Sequence, residues 1–139
     1  MSLVPSPQPG RPGGRVLLVG DDVSVTDALS RELRFSGCEV WACTSAAEAL
    51  ALAGVHRPQV LVVNLRTTLA VALRLAGAVS GLPPAGPSPA EIVVVTGDYG
   101  PPPTPDELVL LRTEVHYRPM WLGELLGVVR DRLPIPAAR

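Results

Sequence analysis

The few side chains that could do chemistry stand just after short apolar runs. Polar groups follow four such runs: Asp21 with Asp22, then Asn64, Thr96 and Arg118. Short Val-rich runs bounded by breakers are typical of strands that are buried on both faces of a parallel sheet. Ligands of such sheets bind beyond the carboxyl ends of the strands. We therefore expect two carboxylates, a carboxamide, a hydroxyl and a guanidinium to converge in one crevice.

The sequence lacks the patterns of the common catalytic and nucleotide sites. No Ser–His–Asp or Cys–His set falls on the strand ends, so we expect the protein not to be an enzyme. Neither a Walker loop nor G-x-G-x-x-G follows the first strand, which disfavours a phosphate-cradling nucleotide site. No His or Cys pair has zinc-ligand spacing, and we expect no metal site. Binding of a ligand or of another protein remains.

Composition narrows the class of protein further. The chain has 139 residues, 47% of them hydrophobic, and a net charge of −1. That length suits one domain with a real core, and the charge gives no basic stripe for nucleic acid. No apolar run approaches the roughly 20 residues of a membrane span, and the N-terminus lacks the apolar segment of a signal peptide. These observations predict a cytoplasmic protein that binds neither nucleic acid nor a membrane.

The order of predicted elements defines one domain over residues 15–133. Residues 1–14 contain four Pro and three Gly and are predicted to be a disordered leader, with 134–139 as a tail. Strands are predicted over 15–19, 38–44, 60–64, 92–96 and 115–117. Helices are predicted over 24–36, 45–53, 67–80, 104–113 and 121–133. Five strands alternating with five helices predict an α/β fold, a doubly wound parallel sheet with helices on both faces.

The motifs at the strand ends resemble those of a known family. They are Leu-Leu-Val-Gly-Asp-Asp at 17–22, Val-Val-Asn-Leu at 62–65, Val-Val-Thr-Gly at 94–97, Tyr-Arg-Pro at 117–119 and Glu-Leu-Leu at 124–126. Their order and spacing resemble the receiver domain of bacterial two-component response regulators, across nearly all of 15–133. The resemblance implies a (βα)5 fold of the flavodoxin or CheY-like type, with strand order 2-1-3-4-5.

In that family an Asp on the third strand accepts a phosphoryl group from a histidine kinase, and acids on the first strand help it to hold Mg²⁺. Here the resemblance places Asn64 at the phosphoacceptor position, and a carboxamide cannot form the acyl phosphate. Gly20 stands where the first acid is expected, while Asp21 and Asp22 fill the neighbouring places. Compared with the family's site, this one lacks two of the carboxylates that a hard cation would need as ligands. We therefore expect Mg²⁺ binding to be weak or absent, and no cofactor.

Two further positions of the family's switch differ in this sequence. Thr96 matches the hydroxyl that binds the phosphoryl group, but Arg118 replaces the lysine, and that exchange is not conservative at a tight site. Val115 replaces the aromatic residue whose ring moves on activation. We expect Arg118 to pair with Asp21 where metal and phosphate would lie, because guanidinium and carboxylate match in a bidentate fashion. The Arg118–Pro119 bond is expected to be cis, as the family's Lys-Pro bond is.

These departures predict a pseudo-receiver that signals through protein–protein interaction. The resemblance implies a binding face made by the fourth helix, the fifth strand and the fifth helix, for another signalling protein or a second copy. Its expected residues are Leu108, Arg112, Val115, Tyr117, Trp121 and Glu124. One alternative is a receiver that a histidine kinase phosphorylates at Asp21 or Asp22. Another is a small-ligand-binding α/β domain with its pocket around Gly20, Asp21, Thr96 and Gly97.

Overall fold

The computed structural model describes residues 14–84, 86 and 88–133. Of the predicted leader it describes Gly14 alone, which is buried and whose carbonyl accepts a hydrogen bond from the Glu39 N–H at 2.9 Å. The predicted tail lies outside the described residues. The elements run in the order β1 (Arg15–Gly20), α1 (Val23–Phe35), β2 (Glu39–Cys43), α2 (Ala46–His56), β3 (Val60–Asn64), α3 (Leu69–Ser80), β4 (Glu91–Thr96), α4 (Pro105–Leu110), β5 (Thr113–Tyr117) and α5 (Leu122–Arg132).

The five strands form one parallel sheet in the order β2-β1-β3-β4-β5, which confirms the predicted fold class. β3 lies at its centre between β1 and β4. Alternate residues of the strands point to opposite faces, and each face carries its own apolar cluster. One cluster packs against α2 and α3, the other against α1 and α5. The helices packed on both faces therefore hold the strand ends in place.

Helix α4 is the exception to this packing, since none of its residues is fully buried. It begins with a capping box in which the Thr104 hydroxyl accepts the Glu107 N–H at 3.2 Å, and the Glu107 carboxylate accepts the Thr104 N–H at 3.3 Å. Pro105 occupies the first helical position, as the sequence predicts. Local capping rather than core packing thus sets where this short helix begins.

Two glutamates and two arginines link the amino ends of β4 and β5 to the end of α5. Glu91 accepts hydrogen bonds from Arg112 and Arg132, each at 2.9 Å, and Glu114 accepts from the Arg132 Nε at 2.9 Å. His116 Nε2 lies 2.7 Å from the other Glu114 oxygen. Partial burial alone would raise the pKa of the Glu114 carboxyl, but the hydrogen bonds from Arg132 and His116 outweigh it, so the pKa lies below its usual range.

This lowered pKa predicts a loss of stability in acid. Because Glu114 releases its proton more readily in the folded state, its contribution is present above the ordinary carboxyl pKa of 4.5 and is lost as the pH falls through the folded value. The side chain is about a third exposed, so we expect a contribution of about 1 kcal/mol or less. Urea unfolding between neutral pH and about pH 3 measures it. Glu114→Gln should flatten the acid limb, whereas Glu32→Gln, at an exposed glutamate of α1, should leave it unchanged.

Cys38 and Cys43 are buried, free thiols in clusters on opposite faces of the sheet. Among the described helices, none combines the length and the apolar character needed to cross a bilayer.

Candidate functional site

The predicted polar groups meet in a crevice of about 460 Å³ at the carboxyl edge of the sheet. Gly20 is the register partner of Asn64 across β1 and β3, so the two positions lie side by side. Asp21, Asp22, Asn64 and Arg118 all line the crevice, together with the half-buried Met120 and Leu122 at the start of α5. The convergence expected from the strand ends is therefore confirmed for these side chains.

Arg118 is bound to β3, and the predicted pairing with Asp21 is wrong. Its Nη2 donates to the Asn64 side-chain oxygen at 2.8 Å and to the Leu65 carbonyl at 3.0 Å. The guanidinium passes over Gly97, where an added Cβ would lie 3.3 Å from Nη1. Asp21 instead accepts the backbone N–H of Arg66 at 2.8 Å. Arg118 thus covers the carboxamide, because a closer acceptor is available there and the Asp21 carboxylate is engaged elsewhere.

The two acids at the end of β1 are occupied by local backbone contacts. Asp22 is the N-cap of α1, and its Oδ1 accepts the Val25 N–H at 3.2 Å, which satisfies one of the helix's free donors. At Gly20 a Cβ would lie 2.6 Å from the Thr26 hydroxyl oxygen, closer than atoms approach without a shift. The space that an acidic side chain would need at position 20 is therefore already filled by α1.

These contacts do not fit a divalent cation. A hard cation such as Mg²⁺ needs several oxygen ligands in near-octahedral geometry. Here one expected carboxylate is missing, a second bonds a backbone N–H, and the carboxamide oxygen faces a guanidinium. Over the described ranges, no three His, Cys, Asp or Glu side chains gather in a group that could hold a metal ion. The donor set of this crevice suits a fixed cationic side chain rather than a metal.

Thr96 and the loop after β4 are tied to their own neighbourhood. Thr96 is buried and its hydroxyl accepts the Asp98 N–H at 2.9 Å, so it lies under the crevice rather than in its lining. Asp98 in turn accepts the N–H groups of Leu69 and Gly100, each at 2.9 Å. These two hydrogen bonds hold the pKa of the Asp98 carboxyl below its usual range. Asp98 therefore fastens this loop to the start of α3, a role that the sequence reasoning missed.

Two further expectations concern Val115 and the Arg118–Pro119 bond. Val115 is partly buried and packs against the cluster beneath α2 and α3. The Arg118–Pro119 peptide bond is cis, as expected. The Arg118 N–H donates to the Thr96 carbonyl at 2.8 Å, which extends the pairing of β5 with β4 up to the crevice.

Large apolar side chains are exposed beside the crevice. Tyr99 and Tyr117 stack with ring centroids 5.3 Å apart, and the Tyr99 hydroxyl donates to the Arg118 carbonyl. Trp121, four residues after Tyr117, is 80% exposed. We call Tyr99, Tyr117 and Trp121 the aromatic surface. Interfaces between proteins are enriched in such side chains, which are costly to leave in water.

Trp121 occupies a helix start for which its side chain is unsuited. An indole N–H cannot accept a hydrogen bond from the first turn, and α5 has no side-chain cap at this position. The Glu124 carboxylate compensates in part, because it accepts the Trp121 N–H at 3.0 Å. Local helix stability therefore does not explain a tryptophan here.

On the face that was predicted to bind a partner, the most exposed side chains belong to residues other than those expected. Val109 and Leu110 of α4 are 74% and 81% exposed, and neither they nor Tyr99 were expected in it. Leu108 is only half exposed, and Arg112 is engaged with Glu91. Tyr117, Trp121 and Glu124 are exposed as expected.

Comparison with known proteins gives a likeness of structure alone. No family model and no curated protein matches the sequence. A response regulator receiver domain (CheY-like) from Methylobacillus flagellatus superposes with a TM-score of 0.64 at 18% identity, covering 86% of this chain and 98% of that one. One from Methanospirillum hungatei JF-1 gives 0.65 at 20% identity, covering 86% and 92%.

The receiver domain of the hybrid histidine kinase CckA is similar at a TM-score of 0.59 and 20% identity. This match covers 87% of this chain and 100% of the CckA domain. Each likeness covers 86–87% of this chain and at least 92% of the compared domain. The five parallel strands in this order, flanked by five helices, match the CheY-like flavodoxin fold. The chain has the fold of a CheY-like response regulator receiver domain.

Proposed function

We propose that the protein is a receiver-like signalling domain that is not phosphorylated and that acts by binding another protein. It has no enzymatic activity of its own in this proposal, needs no cofactor and works in the cytoplasm. The pairing of Arg118 with Asn64 at 2.8 Å supports the first part most directly. The exposed aromatic surface supports the second.

The Arg118–Asn64 pair explains why phosphoryl transfer should fail. The resemblance assigns the phosphoacceptor to position 64, where an anionic oxygen must attack phosphorus while cations neutralise the growing charge. The Asn64 carboxamide is neutral, and its oxygen already accepts a hydrogen bond from the guanidinium. Asp21 and Asp22 are already engaged, because Asp21 accepts the backbone N–H of Arg66 and Asp22 accepts that of Val25. In this proposal the crevice therefore provides neither the anionic nucleophile nor the metal ligands that phosphoryl transfer needs.

Incubation with acetyl phosphate and Mg²⁺ tests this proposal. We expect no acyl phosphate on the wild-type chain by intact mass, and no beryllofluoride-dependent chemical-shift change around Asn64. We expect Asn64→Asp to stay unphosphorylated as well, because the new carboxylate would pair with Arg118 and still lack the acid at position 20. A conventional receiver domain treated in parallel shows that the reagents are active.

The outcome that contradicts the proposal also identifies its replacement. A phosphorylated wild-type chain whose modified peptide contains Asp21 or Asp22 would establish an unconventional receiver. Stabilisation of the fold by a nucleotide in a thermal-shift screen, with shifts at Gly20 and Gly97, would instead favour a small-ligand domain at the crevice. Neither result is expected.

The binding face is proposed to be formed by α4, β5 and the start of α5. It combines the aromatic surface with the exposed Val109 and Leu110 of α4. A nearly uncharged protein with these side chains in water gains by covering them. The face fits another signalling protein or a second copy of the chain, and no part of this proposal requires nucleic acid or a membrane.

A further inference from the structure

A second cavity lies at the amino edge of the sheet, at the opposite ends of the strands from the crevice. Its volume is about 290 Å³, just below the range of roughly 300–1,000 Å³ that is usual for small-molecule sites. Four arginines line it, brought together from the start of β1, the end of α2, the turn before β5 and the end of α5: Arg15, Arg57, Arg112 and Arg132. Glu91 is the acidic side chain among the described lining residues.

The charges of this cavity do not cancel. Glu91 receives one hydrogen bond from Arg112 and one from Arg132, and Glu114 next to it binds Arg132 as well. Those two arginines are therefore balanced by two carboxylates. Within the described chain, no carboxylate lies within 4.0 Å of the Arg15 or Arg57 guanidinium. Among the described residues the Arg15 guanidinium donates to the Arg57 carbonyl, at 3.0 and 3.3 Å, while the Arg15 backbone N–H donates to the Gln59 side chain at 2.8 Å.

Two of the arginines also stand at backbone positions that suit other residues better. Arg57 and Arg112 have φ values of 48° and 51°, in the left-handed region where Gly and Asn are favoured. Placing Arg there costs conformational energy, and it sends two long basic side chains toward one cavity. Both residues follow the end of a helix, α2 and α4 respectively, and both side chains line the cavity.

Apart from Gln59 and Ser88, the rest of the described lining has apolar side chains or none. It includes Ala53 and Val79 from α2 and α3, together with Leu82 and Ala90 near the loop that joins α3 to β4. None of the described lining residues is aromatic, so the cavity offers no surface on which a base could stack. The site thus has a cationic side and an aliphatic side, and its volume admits only a small molecule.

We propose that this cavity binds a small organic anion, with a phosphate or carboxylate head on the Arg15–Arg57 side and a short aliphatic body against Leu82 and Ala90. Guanidinium groups form short, bidentate hydrogen bonds with both kinds of head. Such a ligand would supply the negatively charged partner that the Arg15 and Arg57 guanidinium groups do not have among the described residues. The site is separate from the crevice and from the aromatic surface, so it does not depend on either part of the proposed function.

Amide chemical shifts of the full chain measure this binding. The probes are inorganic phosphate, butyl phosphate and hexanoate, each titrated at constant ionic strength with chloride as the reference anion. We expect saturable shifts at Arg57, Gln59 and Glu91, with at least one of the two organic probes binding more tightly than inorganic phosphate. Comparison of butyl phosphate with hexanoate shows which head the site prefers.

Variants separate a built site from general attraction to basic protein. Arg57→Asn keeps a residue that accepts the left-handed backbone and removes the guanidinium, and it should raise the Kd about tenfold. Glu91→Gln frees Arg112 and Arg132 and should lower the Kd. Arg31→Gln, at an exposed arginine of α1 outside the cavity, should change nothing. Circular dichroism confirms that each variant is folded.

Three results would overturn the proposal. They are the absence of saturable shifts with every probe, an unchanged Kd in Arg57→Asn, and shifts confined to the residues around Asn64. Equal affinity for inorganic phosphate and both organic probes would contradict the aliphatic side of the site.

Discussion

Replacing Leu61 with Ala is expected to lower the free energy of unfolding by about 2–5 kcal/mol. Leu61 lies in the central strand β3, is 0% exposed and packs in the cluster beneath α2 and α3. Removing its side chain loses apolar burial and leaves a cavity that rigid strands on both sides cannot close. Urea unfolding followed by circular dichroism measures the change, and the slope of the transition should stay the same.

The matched control is the same substitution at an exposed leucine. Leu110 is 81% exposed in α4, so Leu110→Ala should change the free energy of unfolding by no more than about 0.5 kcal/mol. Equal effects at the two positions would mean that β3 is not the centre of a buried sheet.

Trp121→Ala is expected to weaken association at the proposed binding face by about 2 kcal/mol or more, which is about thirtyfold in Kd. At 80% exposure the indole contributes little to the folded chain alone, and truncation should leave its unfolding almost unchanged. The indole ring contributes to the binding free energy only when a partner covers it. Sedimentation equilibrium gives the affinity if the partner is a second copy, and biolayer interferometry gives it for a different protein.

Phe35→Ala is the control for this prediction. Phe35 is also a large aromatic residue, 60% exposed, but it ends α1 and lies outside the proposed face. It should leave the affinity unchanged. A partner whose binding falls equally in both variants, or in neither, would show that the aromatic surface is not the contact.

The sheet could be predicted from the sequence because its strands are buried on both faces. β3 runs from Val60 to Asn64 as predicted, since four apolar residues between Pro58 and a polar end leave one possible register. Strand order and connectivity follow from alternation and from the handedness of parallel crossovers. β3, β4 and β5 end at Asn64, Thr96 and Tyr117 as predicted, whereas β5 begins at Thr113, two residues before the predicted start.

Helix ends were harder, because they depend on backbone states that ordinary residues seldom adopt. α2 was expected to end near Ala53 but continues to His56, where Arg57 takes a left-handed conformation that closes the helix. α4 was expected to reach about Thr113 but ends at Leu110, with Arg112 left-handed just beyond it. No glycine marks either stop, so composition gave no signal. These same two arginines shape the amino-edge cavity, which the sequence reasoning therefore also missed.

The site could be located but not assembled from sequence. Spacing placed Asn64 and Arg118 at the ends of strands that meet at one edge of the sheet. Whether Arg118 pairs with Asn64 or with Asp21 depends on the directions of side chains that lie far apart in the sequence, and spacing does not encode these directions. Asp21 turns to the Arg66 N–H and leaves the carboxamide for Arg118. The stacking of Tyr99 on Tyr117 likewise joins a loop to a strand end, and no periodicity records such a contact.

The Thr26 hydroxyl beside Gly20 also determines which side chains position 20 can accept. A change of Gly20 to Asp would place the new Cβ 2.6 Å from that oxygen. Thr26 is β-branched, and its side chain would have to rotate or be replaced before a carboxylate could fit beside it. An acid at position 20 therefore requires a change in α1 as well as in β1.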